Sequence, residues 1–107
     1  MVKRNFKVIW DDQAKASLQK IFNYIKNKES VEQAFIVRNE IRDLAKSLGF
    51  MAHKYAEDPF LKGESGDIRF KAIWSYKIVY EITSETIVIL DVFHTSRDPG
   101  NQKQLIK

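Results

Sequence analysis

The 107-residue chain has no cysteine, only two histidines, two prolines and four glycines. Without cysteine there is no disulfide, no thiolate zinc site and no thiol nucleophile. The two histidines, His53 and His94, lie far apart, and no His/Asp/Glu group has ligand spacing, so no metal and no cofactor is expected. No glycine-rich phosphate loop and no Ser-His-Asp grouping is present. Long apolar runs are absent too. Ile87-Val88-Ile89-Leu90 is far short of the ~20 residues that a membrane span needs. Met1-Val2-Lys3-Arg4-Asn5 leads directly into a strand-like run, with no apolar signal segment. The expectation is a cytoplasmic protein with no membrane association. There is no repeat and no low-complexity stretch.

What is present suits one domain over 1–107. The chain is 44% hydrophobic, and its length allows a single core. Net charge is +4 with a pI near 9.3, which favours an anionic partner such as nucleic acid or an acidic protein segment.

Phe6, Val8 and Trp10 alternate as one face of a first strand. Asp11-Asp12 stops it and offers an N-cap. Ala14, Leu18, Ile21, Phe22 and Ile25 then form the apolar stripe of a helix from about Asp12 to Asn27. Ser30 and Gln33 have capping-box spacing and open a second helix from about Val31 to Leu48. Its stripe is Ala34, Val37, Ile41, Leu44, Ala45 and Leu48, and Gly49 stands at a left-handed C-cap position. The short link makes the two helices an antiparallel hairpin. Phe50 to Asp67 reads as an irregular loop, packed on the body by Phe50, Met51, Tyr55, Phe60 and Leu61.

Three strands follow: Ile68 to Trp74, Tyr76 to Thr83, and Thr86 to Phe93, with Ser84-Glu85 as a tight turn. The last strand is apolar on both faces except at Asp91 and so reads as central. Asp98-Pro99-Gly100-Asn101 breaks structure, and 98–107 is expected as a flexible tail. The order β-α-α-β-β-β is α+β: a helical hairpin packed on one face of a mostly antiparallel four-stranded sheet. The opposite face is left open. It carries Arg69 and Lys71 if Phe70 and Ala72 face the helices.

The chain resembles the RelE/ParE toxin superfamily over nearly its whole length, Val8 to Pro99. The opening Val8-Ile9-Trp10 leads into a helix with Ala14, Leu18, Ile21, Tyr24 and Ile25. Arg69 stands on the first strand of the meander. Tyr76-Lys77-Ile78-Val79-Tyr80-Glu81-Ile82 and Val88 to Pro99 complete the pattern, ending on His94 and then Arg97-Asp98. The resemblance implies the toxin of a type II toxin–antitoxin pair, neutralised by a cognate antitoxin. Such a toxin could form a homodimer or a heterotetramer with its antitoxin. It further implies one of two targets: DNA gyrase, inhibited without chemistry, or mRNA cleaved on the ribosome. Whether the chain is an enzyme turns on that choice.

Metal-free RNA cleavage needs a base for the 2′-OH, cations on the phosphate and an acid for the leaving oxygen. His94 could supply acid or base, and Arg69 could grip phosphate through two donors. Lys71 and Arg97 could add charge. Each has a plainer use: His94 bonded at a strand end, Arg69 paired with Asp67 or Glu81, Lys71 exposed on a strand, Arg97 paired with Asp98. His53, beside Lys54, reads as solvated. Trp10, Trp74 and Tyr76 could stack on bases but suit a core or an interface. Two features lean toward the gyrase-directed, ParE-like branch. Both helices are long, and Lys54 and Lys62 are the only lysines of the loop before Arg69, offset by Glu57, Asp58, Glu64 and Asp67. A non-toxic binding module of the same fold stays open as a third reading.

Overall fold

The structure is a computed structural model, and it describes residues 6–55 and 66–96. Arg97, the 98–107 tail, Phe60 and Leu61 lie outside the described residues. The elements run β1 (Lys7–Trp10), α1 (Asp12–Lys28), α2 (Val31–Met51), β2 (Asp67–Ile73), β3 (Tyr76–Ile82) and β4 (Thr86–His94). One four-stranded sheet has the order β1-β4-β3-β2. β1 runs parallel to β4, from Lys7 opposite Thr86 to Trp10 opposite Ile89, and the other pairs are antiparallel. The expected α+β architecture is the one observed.

The α1 stripe is buried at the five expected positions, Ala14, Leu18, Ile21, Phe22 and Ile25. Asp11 occupies the N-cap position, but its side chain makes no capping bond. At α2 the cap forms as expected, with Ser30 Oγ accepting from the Gln33 N–H at 3.0 Å. α2 buries Ala34, Val37, Ile41, Ala45 and Leu48, while Leu44 is half-buried. Its end differs from the expectation, because the helix runs through Gly49 to Met51. Gly49 is not a left-handed cap. A Cβ there would stand 2.9 Å from the Phe6 carbonyl oxygen, and the Phe6 N–H donates to the Gly49 carbonyl at 2.9 Å. Glycine serves this position by letting the chain entering β1 lie directly against the helix. The added turn leaves Phe50 exposed rather than packed.

The β3–β4 turn lacks Asn-Gly chemistry because Thr83 supplies the closure. Its hydroxyl accepts from the Thr86 N–H at 3.0 Å, and its own N–H donates to the Thr86 carbonyl at 2.9 Å. A bulge shifts the β3–β4 register between Val79 and Tyr80. Beside it Asp91 is fully buried, with Oδ1 accepting from the Val92 N–H at 2.8 Å and Oδ2 without a partner.

The helices pack on one side of the sheet, over a core that includes Tyr76, Ile78, Tyr80, Ile82, Ile87, Ile89 and Val92. Register then corrects the facing of β2. Arg69 lies opposite Tyr80 and Lys71 opposite Ile78, so both share the helix side. Phe70 lies opposite Val79 and faces away. The far side of the sheet is not bare: Ile68, Val79 and Phe93 form a second buried cluster, with Phe70 and Leu90 packed against it. β2 is at an edge of the sheet, and strand alternation alone cannot say which of its two sets meets the helices.

Candidate functional site

Arg69 is the most tightly held of the expected site residues that the structure describes. Its Nε donates to Asp67 Oδ1 at 3.1 Å, and its Nη2 donates to Asp67 Oδ2 at 3.4 Å. Its Nη1 donates to the carbonyls of Tyr55, at 2.7 Å, and His53, at 3.3 Å. The planar guanidinium thus ties β2 to the segment that follows α2. Tyr80 lies beside it, fully buried, and its hydroxyl donates to the Ala52 carbonyl at 2.9 Å. Burial pushes this phenol up to about 12, against the lowering influence of Arg69. Tyr80 escaped sequence reasoning because a tyrosine in an apolar alternation looks like any core residue. Lys71 places its ammonium 5.0 Å from the centre of the Tyr55 ring.

Trp74 and His94 occupy a different region, the end of the sheet. Trp74 and Ser75 form the two-residue turn between β2 and β3. Trp74 has φ +56° and is half exposed. Positive φ at the first turn position is normally a glycine's place, so a bulky indole held there is strained. His94 is exposed, and its ring stands edge-on to Tyr76 at 5.4 Å. Its Nδ1 accepts from the Ser96 N–H at 3.1 Å and is 2.7 Å from the Ser96 hydroxyl. Tyr76 has its phenol shifted upward by burial, then by Tyr24 and Glu29. Tyr76, His94 and Ser96, but not Trp74, line a cleft of about 360 Å³, completed by Gln13, Ser17, Lys20 and Tyr24 from one stripe of α1.

The structure therefore brings Trp74 and His94 to one end and keeps Arg69 elsewhere. Arg69 pairs with Tyr80, four positions along β3 from the Tyr76 that pairs with His94. That is about 13 Å along the strands, with two inter-strand steps of about 5 Å across them. A phosphate gripped by Arg69 would not reach the His94 imidazole. His53 contributes its backbone carbonyl to Arg69, and its ring lies 6.0 Å from that of Phe6. Trp10 packs against the core. Among the described residues no group of three His, Asp or Glu side chains could hold a metal, and no helix is long and apolar enough to cross a membrane.

Comparison with known proteins bears on this arrangement. Residues 8–99 match the profile of a family described as the ParE toxin of the type II toxin–antitoxin system parDE. Among solved structures, the chain is similar to one from the chromosomal ParDE toxin–antitoxin system of P. aeruginosa. The TM-score is 0.71 at 21% identity, over 83% of this chain and 95% of that one. No curated protein matches.

Proposed function

The chain belongs to the ParE toxin family of type II toxin–antitoxin systems, and from that membership we propose that it arrests growth by inhibiting DNA gyrase in the cytoplasm until a cognate antitoxin neutralises it. One observation carries the choice of gyrase over mRNA. The cation best suited to a scissile phosphate, Arg69, is engaged inside the fold by Asp67, Tyr55 and His53, and it stands apart from His94. An inhibitor needs no such constellation. It needs an exposed, rigid contact surface, and the strained Trp74 with the neighbouring cleft supplies one.

The test is induction of the chain without an antitoxin, followed by two separate assays. Growth arrest, loss of gyrase supercoiling and a DNA-damage response with intact mRNA are the expected results. Cut mRNA from translating ribosomes, abolished by His94→Ala, would replace this reading with the nuclease one. No arrest at all would leave a binding module.

A further inference from the structure

The two helices enclose a cleft of about 370 Å³ between them. α1 supplies Lys15 and Gln19, one turn apart, and α2 supplies Arg38 and Arg42, also one turn apart. Trp10 and Leu18 add its apolar lining. Among the described residues no acidic side chain lines it, and none of the three cations forms an ion pair. Like charges gathered against apolar walls focus the field on the space between them, and their mutual repulsion is relieved when an anion enters.

Arg38 is fixed in advance. Its guanidinium carbon lies 5.0 Å from the centre of the Phe22 ring and 4.7 Å from that of Phe35, and the two rings stand edge to face at 5.0 Å. Little side-chain freedom is left to lose on binding. Its Nε is shielded from water and has no acceptor, so the fold itself leaves this donor unmet. A planar guanidinium with a spare donor suits the oxygens of a phosphate.

We infer that the cleft between α1 and α2 binds a compact oligophosphate, either a free polyphosphate chain or the phosphate tail of a nucleotide, held by Lys15, Arg38 and Arg42. Three cations in one cleft match several phosphate charges better than a single carboxylate. They come from two helices within a turn of one another, which fits a compact anion better than a long polymer. Asp43 stands in the neighbouring cleft beyond Arg42 and opposes a phosphate backbone running on along α2. The site does not rest on the toxin reading.

The test uses the full 15N-labelled chain with tripolyphosphate, adenosine triphosphate and single phosphate, each against sodium chloride of equal ionic strength. Citrate and an oligothymidylate serve as controls. Tripolyphosphate is expected to shift the Trp10 indole and Arg38 Nε–H signals and the Lys15, Gln19 and Arg42 amides. At ten times its Kd it should raise the melting temperature by roughly 5 °C or more. Single phosphate should bind at least about tenfold more weakly. Tighter binding of adenosine triphosphate, with a larger Trp10 shift, would name a nucleotide as the source; tighter tripolyphosphate would name the free chain. The double variant K15Q/R42Q, altered only at exposed positions, should keep its ligand-free melting temperature and lose at least about tenfold in affinity. K26Q/K28Q removes the same charge from the other end of α1, also at exposed positions, and should bind as the wild type does, within about twofold. No shifts at millimolar tripolyphosphate, equal binding of citrate, or equal losses in the two double variants would overturn the assignment. So would tighter occupation of the same residues by the oligonucleotide.

Discussion

Tyr80 puts a hydroxyl among apolar side chains, where its one bond to the Ala52 carbonyl decides its cost. Tyr80→Phe leaves that carbonyl unpaired and is expected to lose about 1–3 kcal/mol, read by urea unfolding. The pH dependence has a definite sign. The folded-state phenol stands at about 12 against an ordinary 10.0, so folding favours its neutral form. Its contribution is complete below pH 10 and fades as the pH rises toward 12, by up to about 2–3 kcal/mol. A wild-type stability profile that falls no faster than that of Tyr80→Phe over this range would contradict the assignment. Trp74 poses the opposite case, strain at the surface. Trp74→Gly relieves a positive φ costing about 1–2 kcal/mol, offset by about 0.5–1 kcal/mol of chain entropy. The melting temperature should hold or rise while growth arrest weakens. A large fall in melting temperature would make the indole a packing residue instead. Neither role is legible in the sequence: Trp74 reads as the last residue of a strand, suited to a core or an interface, and its backbone strain depends on a turn whose type the residues do not announce.

Helix faces could be read from spacing because a 3.6-residue stripe admits one solution, and the α1 stripe was recovered in full. An edge strand is harder. β2 offers Ile68, Phe70 and Ala72 or Arg69, Lys71 and Ile73, and apolarity alone sends the first set to the helices. In the fold Ile68 and Phe70 of the first set join the far-side cluster while Ala72 is exposed, and the helix side of β2 carries Arg69 in its clamp. Arg69→Gln should therefore act through stability. It loses the ion pair with Asp67 and a carbonyl bond, and a drop of about 1–2 kcal/mol is expected, with faster proteolysis near Tyr55. At matched folded concentration, growth arrest should persist. Unchanged stability with lost toxicity would instead make Arg69 a target contact. Gly49 teaches the same limit, since its helical setting follows from Phe6, a partner the local sequence does not display.

The whole molecule closes through its most distant pairing. α1 with α2 and β3 with β4 are neighbours along the chain, whereas β1 must find β4 from the opposite end. Long-range parallel pairing is entropically late, because the intervening loop has to be ordered before the contacts form. β1 is also short, four residues, and among the described strands only β4 pairs with it. It should thus be the last strand to dock and the first to leave. Val8→Ala, at a half-buried position, is expected to lose roughly 1 kcal/mol. Nearly all of that loss should appear as faster unfolding, about fivefold, with refolding almost unchanged. Ile78→Val, inside the β-meander, should slow refolding instead. Stopped-flow chevrons separate the two, and a refolding rate that falls with Val8→Ala would place β1 in the nucleus. Late docking also has a signature at equilibrium: a strand held weakly opens first, so the amides of β1 should exchange hydrogen faster than those of β3, and equal protection of the two strands would contradict this order.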